Sequence, residues 1–343
     1  MIRFVTGDIF DSQADAIVNT VNLVGVMGKG IALQFKERFA DNFKLYVKAC
    51  KEHAIGIGNS LVVRSQLNGR QVWIVNFPTK VHWRDPSQYW YIERGLDNLA
   101  CIIKEYGIGS IAIPPLGAGN GGLEWEKVKP LIEARLSGTE CEILVYEPGH
   151  IAESRPRNIS LTPARALLTY MLHQLQAQGY DATAFSAVKM AYFLQKFGAA
   201  NIFRMKFEPY VYGPYCDKVR HLLHGMDGSL IEGFSDMSKK PFEPFGLVAS
   251  RFREIDERIV NDDRLSRIAD RTSRFLAGYL DDFGLELLSS VDFLMECHPE
   301  NSFEEVCKRL HDWSPRKKRL FADSGTVRMA YEHIMTVTPR LPL

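Results

Sequence analysis

The sequence predicts an α/β domain at residues 1–150, followed by a mainly α-helical domain at residues 164–343. Up to about Pro148, short β-rich runs alternate with amphipathic stretches, which is typical of a layered α/β fold with a parallel or mixed sheet. A polar stretch with Pro at both ends comes next and predicts a linker at residues 151–163. Beyond it the pattern is mainly helical. The 343 residues allow two domains of ordinary size.

The elements of the first domain follow from periodicity and turn signals. Two β-rich runs, IRFVTG and AIVNTVN, precede helical segments at Ile31–Arg38 and Asn42–His53. The alternating runs SLVVRSQL and RQVWIVNF are joined by Asn68-Gly69, the strongest short-range signal for a hairpin. A helix from Gln88 to Tyr106, a strand at SIAIPPL, a helix at WEKVKPLIEARL and a strand at CEILVYEP complete the alternation.

Composition and charge restrict the classes of partner. The chain is 46% hydrophobic and 24% charged, with a formal net charge of +1, so no global field attracts nucleic acid or a membrane surface. No apolar run approaches membrane-spanning length, and the start of the chain shows no signal-peptide pattern. Six Cys are scattered without paired spacing, which disfavours a zinc site or a disulfide framework. We therefore expect a cytoplasmic protein with no membrane partner, no metal and no cofactor.

Two glycine-rich loops, Gly25–Gly30 and Gly117–Gly122, lie at strand-to-helix junctions of the first domain. A helix start offers unpaired N–H groups and the positive end of a dipole, and Gly permits close approach of the backbone. The first loop has no Ser or Thr after its Lys, unlike a P-loop, and the second is a lone G-x-G-x-x-G without a following ribose-binding acid. We predict that the two loops bind a pyrophosphate between them. The alternative is that both loops are only tight turns.

Polar side chains at the ends of the first two strands extend the predicted ligand site. Asp8 follows the first strand, where a carboxylate can accept a hydrogen bond from an exocyclic amine such as that of adenine. Its alternative role is a helix N-cap. Asn19 and Asn22 end the second strand, and they bind either ribose hydroxyls or the backbone of the turn.

Three motifs together resemble the macrodomain family. They are GDI after the first strand, AIVNTVN leading into the loop GVMGKGIA, and PPLGAGNGGLEW, in the order that the family has them. The resemblance covers about residues 1–148. It implies a mixed sheet between helices and a cleft for ADP-ribose at the carboxyl ends of the strands.

The resemblance also assigns residues to parts of the ligand. Asp8 and Ile9 are implied to hold adenine, Gly25 to Ile31 the phosphates and proximal ribose, and Gly117 to Gly122 the pyrophosphate and distal ribose. The complete set of implied ADP-ribose-binding residues is Asp8, Ile9, Asn19, Asn22, Gly25, Met27, Gly28, Lys29, Gly30, Ile31, Thr79, Leu116, Gly117, Ala118, Gly119, Asn120, Gly121 and Gly122.

Within that family, the sequence resembles the lysine-dependent ADP-ribosyl glycohydrolases. Their mark is Asn76-Phe77-Pro78-Thr79-Lys80, and the stretch VNTVNLVGVMGKGIALQFKERF is similar to the DNA-specific members, the antitoxins of DarT–DarG toxin–antitoxin pairs. This implies that Lys80 is catalytic, that the substrate is ADP-ribosylated thymine in single-stranded DNA, and that the partner is a DarT-type toxin. The alternative for Lys80 is a solvated charge at a strand end. The alternative functions are a non-catalytic ADP-ribose reader and an ADP-ribose-phosphate phosphatase.

One position departs from the related lysine–aspartate enzymes. Their second loop carries an Asp that assists the lysine, and Gly121 stands at the matching position here. We therefore expect Lys80 to act as a charged acid or electrostatic catalyst rather than as a nucleophile. Any further proton transfer would come from His82, Glu124 or water.

The second domain resembles the antitoxin domain of the Panacea group in KMAYFLQKFG and EPYVYGPYCDKVRHLL, which implies that residues 164–343 bind the toxin. The segment from Phe275 to Cys307 contains eight acidic residues and no Lys or Arg. It is either a solvated helix face or a surface that imitates the charge of nucleic acid. The run SPRKKR at Ser314–Arg319 is a compact basic patch, either solvated or in contact with DNA.

Overall fold

The computed structural model of the chain describes residues 1–148 and 158–338, which divide into two compact units. The first unit contains residues 1–148 and the short segment Asp236–Ser238, and the second contains the other described residues from 158 onwards. Residues 151–157 of the predicted linker lie outside the described residues. The domain boundaries proposed from the sequence therefore stay a prediction.

A six-stranded mixed sheet forms the centre of the first unit. Its strands are β1 (Ile2–Val5), β2 (Ala16–Val21), β3 (Leu61–Leu67), β4 (Arg70–Pro78), β5 (Ser110–Ile113) and β6 (Glu142–Tyr146). They are ordered β1-β6-β5-β2-β4-β3, and every neighbouring pair is parallel except the hairpin of β3 and β4. Asn68 and Gly69 turn this hairpin with positive φ angles of 51° and 81°, as its sequence predicts. Five strands therefore end at the same edge of the sheet.

Helices cover both faces of this sheet. They are α1 (Gly30–Arg38), α2 (Ala40–Lys51), α3 (Tyr89–Glu105) and α4 (Trp125–Leu136). Neighbouring residues of a strand point to opposite faces: Val18 of β2 lies in a core cluster with residues of α3 and α4, and Ile17 lies in another with Phe35 of α1. Burial on both faces explains why β2 and β4 are apolar nearly throughout. The predicted mixed sheet between helices is confirmed.

The second unit is mainly helical, as predicted. Its helices are α5 (Pro163–Ala177), α6 (Ala184–Leu194), α7 (Ala200–Phe203), α8 (Lys218–His224), α9 (Phe252–Val260), α10 (Asp263–Leu276), α11 (Asp282–Cys297), α12 (Phe303–Trp313), α13 (Pro315–Leu320) and α14 (Ser324–Val337). Two short antiparallel pairs accompany them, β7 (Glu208–Tyr210) with β8 (Gly213–Tyr215) and β9 (Ile231–Glu232) with β10 (Gly246–Leu247). No helix among the described residues is long and apolar enough to cross a membrane.

The acidic stretch from Phe275 to Cys307 is not one exposed surface. Glu286 of α11 is 2% exposed and accepts a hydrogen bond from the Lys317 ammonium at 2.9 Å. Asp292, also fully buried, lies 2.9 Å from Lys196 and accepts a hydrogen bond from the Tyr192 hydroxyl at 2.8 Å. Two of the eight acidic residues are thus internal ion-pair partners. Glu286 and Asp292 therefore belong to neither expected surface, and imitation of nucleic acid by the other acidic residues stays a prediction.

The basic run Ser314–Arg319 is likewise partly internal. Ser314 caps α13 by accepting a hydrogen bond from the Lys317 amide, and the Lys317 side chain is fully buried against Glu286 and the Ser290 hydroxyl. Arg316 donates two hydrogen bonds to Glu286. Although burial opposes ionisation, the bonds from Arg316 and Lys317 outweigh it and lower the pKa of Glu286. Both sequence interpretations of this run, solvated charge and DNA contact, are wrong for Lys317.

Candidate active site

The carboxyl edge of the sheet brings the predicted site residues together. Asn22 follows β2, Thr79 and Lys80 follow β4, and the loop Leu116–Gly122 follows β5. Val21 and Pro78 are paired across β2 and β4, so the segments that follow them start side by side. Parallel strands place these loops on one rim, as is usual for ligand sites in α/β folds.

Asn22 organises the first glycine loop. Its side-chain oxygen accepts hydrogen bonds from the amides of Val24 and Val26 at 3.0 and 3.3 Å, and its side-chain nitrogen donates to the Val26 carbonyl at 2.6 Å. The Tyr46 hydroxyl donates to the Asn22 carbonyl at 2.7 Å. Asn22 was expected to bind either ribose hydroxyls or the backbone of the turn, and in the structure it binds the backbone of the turn. Gly25, with φ of 85°, occupies a conformation that side chains rarely adopt.

The first glycine loop leads directly into α1, and the amide of Gly30, the first residue of that helix, donates a hydrogen bond to the Asp236 carbonyl at 2.8 Å. Helix α1 begins at Gly30 without a side-chain cap. Among the described residues, no hydrogen bond from the amides of Gly28 or Lys29 is found. Met27 is buried beneath the loop, whereas Gly28 and Lys29 are exposed. Unpaired amides at an uncapped helix N-terminus can bind phosphate oxygens.

The second glycine loop has a similar row of unpaired amides. Its ends are held by hydrogen bonds from the Leu123 amide to the Gly117 carbonyl at 3.0 Å and from the Gly122 amide to the Gly119 carbonyl at 3.1 Å. Leu116, in front of the loop, is part of the hydrophobic core. Within the described residues, the amides of Gly119, Asn120 and Gly121 have no acceptor. A run of successive free N–H groups is suited to an anion.

Lys80 contacts the second glycine loop at the point where that loop meets the first. Its ammonium donates a hydrogen bond to the Asn120 carbonyl at 2.6 Å. A Cβ atom on Gly30 would lie 2.8 Å from the side-chain nitrogen of Asn120, so the first loop contacts the second at this point. Lys80 is partly buried, and burial lowers its pKa, while the charge of Asp85 opposes that shift. Lys80 is therefore held at the junction of both loops and is not a fully solvated charge at a strand end.

The position of the missing aspartate is closed by the backbone. A Cβ on Gly121 would lie 2.2 Å from the Gly117 carbonyl oxygen and 2.4 Å from the Ser87 hydroxyl, so this loop conformation accepts only Gly. The two side chains considered as substitutes make other contacts. Glu124 pairs with Lys127 at 2.6 Å on the surface, and His82 stacks on a neighbouring aromatic ring.

Asp85 is the carboxylate whose charge acts on Lys80, and sequence reasoning missed it. The sequence feature that could have identified Asp85 is its position five residues after Lys80, in the same loop. Asn42 and Asn76 were also missed as site-supporting residues. The Asn76 side chain donates to Asn42 at 2.7 Å and accepts from Asn19 at 2.9 Å. Asn19 is fully buried in this amide network, so its contact with a ligand stays a prediction.

Asp8 and Ile9 lie at the end of β1. The Asp8 side chain accepts a hydrogen bond from the Phe10 amide at 2.9 Å and caps a short 3-10 turn at Ile9–Asp11. Arg38 approaches the same carboxylate at 3.9 Å, and Ile9 is buried in the core. The capping role expected as the alternative for Asp8 is present, and binding of adenine by these residues stays a prediction.

Known proteins match both parts of the chain. A Macro domain model matches residues 18–132. A DNA ADP-ribosyl glycohydrolase of Thermus aquaticus is 38% identical over 328 residues, which cover 92% of this chain and 89% of that protein. A DNA ADP-ribosyl transferase-DNA ADP-ribosyl glycohydrolase fusion protein of Thermosipho africanus is 35% identical over 178 residues, or 47% of this chain and 45% of the fusion protein. The solved macrodomain of Thermus aquaticus DarG is 52% identical, with a TM-score of 0.42, over 43% of this chain and 99% of that chain.

Proposed function

This chain belongs to the DNA ADP-ribosyl glycohydrolase family, and from that premise we propose that it hydrolyses ADP-ribose from ADP-ribosylated thymine in single-stranded DNA. The observation that carries the proposal is the position of Lys80. Its ammonium is hydrogen-bonded to the Asn120 carbonyl at 2.6 Å, in contact with the loop of unpaired amides that follows β5. If this loop binds the pyrophosphate, Lys80 would lie close to the glycosidic bond of the distal ribose, which is the bond to be cleaved.

The proposed binding mode uses both glycine loops. The free amides of Gly28 and Lys29 and those of Gly119 to Gly121 would bind the pyrophosphate oxygens through charge-assisted hydrogen bonds. Asp8 and Ile9 would hold adenine at the end of β1. Asn22 would act through the shape of the first loop, because its side chain is already bonded to that loop.

The proposed reaction is hydrolysis of the bond between the anomeric carbon and the base nitrogen. Water adds to the anomeric carbon and loses a proton, while the departing base gains one. As an ammonium ion, Lys80 would stabilise the negative charge that develops on the base and supply its proton. Burial lowers the pKa of Lys80, which makes the ammonium a stronger acid. The same shift also favours a neutral nucleophile, so the pKa does not distinguish these roles.

Borohydride distinguishes the two roles of Lys80 directly. A nucleophilic amine would form a covalent adduct at the anomeric carbon, and reduction during turnover would leave an ADP-ribosyl group on the peptide that contains Lys80. We expect mass analysis of that peptide to find no adduct. A reduced adduct would show that the charged-acid role is wrong.

The proposed reaction is tested by measuring the ADP-ribose released from an ADP-ribosylated single-stranded oligonucleotide. Wild type should release it, and Lys80→Ala should lose at least about a hundredfold in rate, the usual size of a general acid–base contribution. Lys127→Ala is the matched control, because Lys127 is an exposed lysine paired with Glu124 beside the second loop. Tight binding of ADP-ribose without release by wild type would instead favour the reader. Release of phosphate from ADP-ribose phosphate alone would favour the phosphatase.

We further propose that the protein is a cytoplasmic antitoxin whose second unit binds a DarT-type toxin. Support comes from the Thermosipho africanus relative, whose name joins a transferase and a glycohydrolase in one chain. If binding and hydrolysis are separate, Lys80→Ala should still neutralise the toxin, at a one-to-one ratio, in an assay of DNA modification. Recovery of the toxin with residues 1–148 and not with the remainder of the chain would contradict this division.

A further inference from the structure

We propose that His82, Trp83 and Arg84 form a docking platform for the nucleotides that flank the modified thymine. The platform rests on the proposed function, because it binds the DNA part of that substrate. The residues lie in the loop at 79–87, which contains Lys80 and is held by hydrogen bonds to the end of β2 and to the second glycine loop. The Thr79 amide donates to the Val21 carbonyl at 2.9 Å, and the Ser87 amide donates to the Gly121 carbonyl at 2.9 Å.

The strand order places this loop at the correct end of the cleft. Asp8 follows β1 and Lys80 follows β4, and the order β1-β6-β5-β2-β4 separates these two strands by four spacings. At about 4.8 Å per spacing this is roughly 19 Å, a distance comparable to an extended ADP-ribose. With adenine near Asp8, the distal ribose lies near Lys80. The base and its DNA strand are then the parts of the substrate that reach the loop at 79–87.

The platform has an aromatic surface. Trp83 is 44% exposed, although burial of a Trp ring is usually favourable. The His82 ring stacks on it with centroids 5.4 Å apart and an interplanar angle of 29°, and the guanidinium carbon of Arg84 lies 4.5 Å from its centroid. Hydrogen bonds from the Asp85 amide to the His82 carbonyl and from the Arg84 amide to the His82 ring hold the turn. A nucleic acid base can stack on such aromatic or guanidinium planes.

The platform also carries an available positive charge. Within residues 1–148 and 158–338, Arg84 forms no ion pair, and its guanidinium contacts the Trp83 ring. Because the whole chain has a net charge of +1, attraction to a DNA phosphate must come from local charges of this kind. An exposed aromatic ring beside an unpaired arginine is the combination by which proteins bind single strands without reading their sequence.

The test compares two substrates and two matched pairs of variants. The substrates are an ADP-ribosylated oligonucleotide of about ten nucleotides and ADP-ribosylated thymidine without flanking nucleotides. Trp83→Ala should raise KM for the oligonucleotide roughly 5- to 150-fold, the size of one lost base stack. Trp83→Phe keeps an aromatic ring, so its KM should stay close to that of wild type. KM for the modified nucleoside should stay within about twofold. Tyr106→Ala is the control, because Tyr106 is an exposed ring in T-shaped contact with Trp73, and it precedes β5 at the opposite edge of the sheet.

Salt dependence tests the charge of the platform. One phosphate contact on a single strand contributes about 0.7 to the slope of log affinity against log salt concentration, so Arg84→Gln should reduce the slope for the oligonucleotide by about that amount. Arg64→Gln should not change it. Arg64 is exposed and lies 5.2 Å from the Trp73 ring, so it reproduces the arginine–tryptophan pair elsewhere in the first unit.

Fluorescence anisotropy with an unmodified labelled oligonucleotide separates this inference from the proposed function. If wild type binds the strand, Trp83→Ala weakens that binding, and neither substrate is hydrolysed, then the platform is supported and the proposed function fails. If wild type hydrolyses both substrates and Trp83→Ala loses activity equally on both, then Trp83 belongs to the ADP-ribose site and the platform is refuted. Unchanged KM for the oligonucleotide with a folded Trp83→Ala also refutes it.

Discussion

Substitution of Gly119 by Val should abolish ADP-ribose binding without loss of the fold. A Cβ on Gly119 would meet no atom within 4 Å, and the residue is exposed, so the free energy of unfolding should change by no more than about 0.5 kcal/mol. The isopropyl group would stand over the free amides of Gly119 and Asn120. Ligand binding and folding are therefore expected to separate at this position.

The loss in affinity follows from the number of hydrogen bonds blocked. A hydrogen bond to a charged group contributes about 1.5–3 kcal/mol, so loss of two such bonds costs roughly 3–6 kcal/mol. This corresponds to an increase in Kd of more than about a hundredfold. Isothermal titration with ADP-ribose measures Kd. The Tm with and without ligand gives an independent readout, because a ligand at about 100 times Kd stabilises wild type by about 2.7 kcal/mol.

Two further glycines calibrate this experiment. Gly138 also has no atom within 4 Å of a built Cβ and follows α4 outside the cleft, so Gly138→Val should bind ADP-ribose normally. Gly121→Ala should instead destabilise the fold by about 1–3 kcal/mol through overpacking, because its Cβ would lie 2.2 Å from the Gly117 carbonyl oxygen. An unchanged Kd in a folded Gly119→Val protein would refute the assignment of the second loop to the pyrophosphate.

Three other outcomes are expected. Glu286→Ala leaves the buried Lys317 ammonium without its carboxylate, so the free energy of unfolding should fall by about 3–5 kcal/mol. Glu304→Ala removes an exposed carboxylate and should lower the free energy of unfolding by less than about 1 kcal/mol. Urea-dependent hydrogen exchange of second-unit peptides measures both changes, and equal effects would contradict the buried pair. If Lys80 acts as a charged acid, kcat/KM should fall as pH rises through the pKa of Lys80, which burial lowers. Asp85→Asn removes a charge that raises this pKa, so it should move the fall in kcat/KM to lower pH. A rate that rises with pH instead would favour the nucleophile. Lys80→Arg should retain little activity in the same release assay, because a planar guanidinium does not reproduce the compact ammonium, and near-wild-type activity would contradict a geometric requirement.

Local patterns were sufficient to predict the first unit. Alternation of short apolar runs and amphipathic helices identified a layered α/β fold, and Asn68-Gly69 identified the hairpin of β3 and β4. These features depend on backbone preferences and on periodicity within a few residues. The glycine loops were located for the same reason, since each lies directly after a strand and before a helix.

Contacts between distant residues required the tertiary structure. The Lys80 ammonium binds the carbonyl of Asn120, forty residues away, and nothing in either local sequence specifies that pair. The buried pair of Glu286 and Lys317 joins residues 31 positions apart, so an acidic segment and a basic segment that each read as surface charge neutralise one another inside the second unit.

The sequence by itself determined which chemical groups are available at the cleft, namely two rows of backbone amides and one lysine after β4. The tertiary structure decided which of those groups meet and which alternatives are excluded. At Gly121 the reason is steric, because the Gly117 carbonyl and the Ser87 hydroxyl occupy the space that an aspartate would need. At Lys80 the reason is electrostatic, because partial burial and the charge of Asp85 act on the same ammonium in opposite directions. Both effects depend on distances through space, which separation along the chain does not specify.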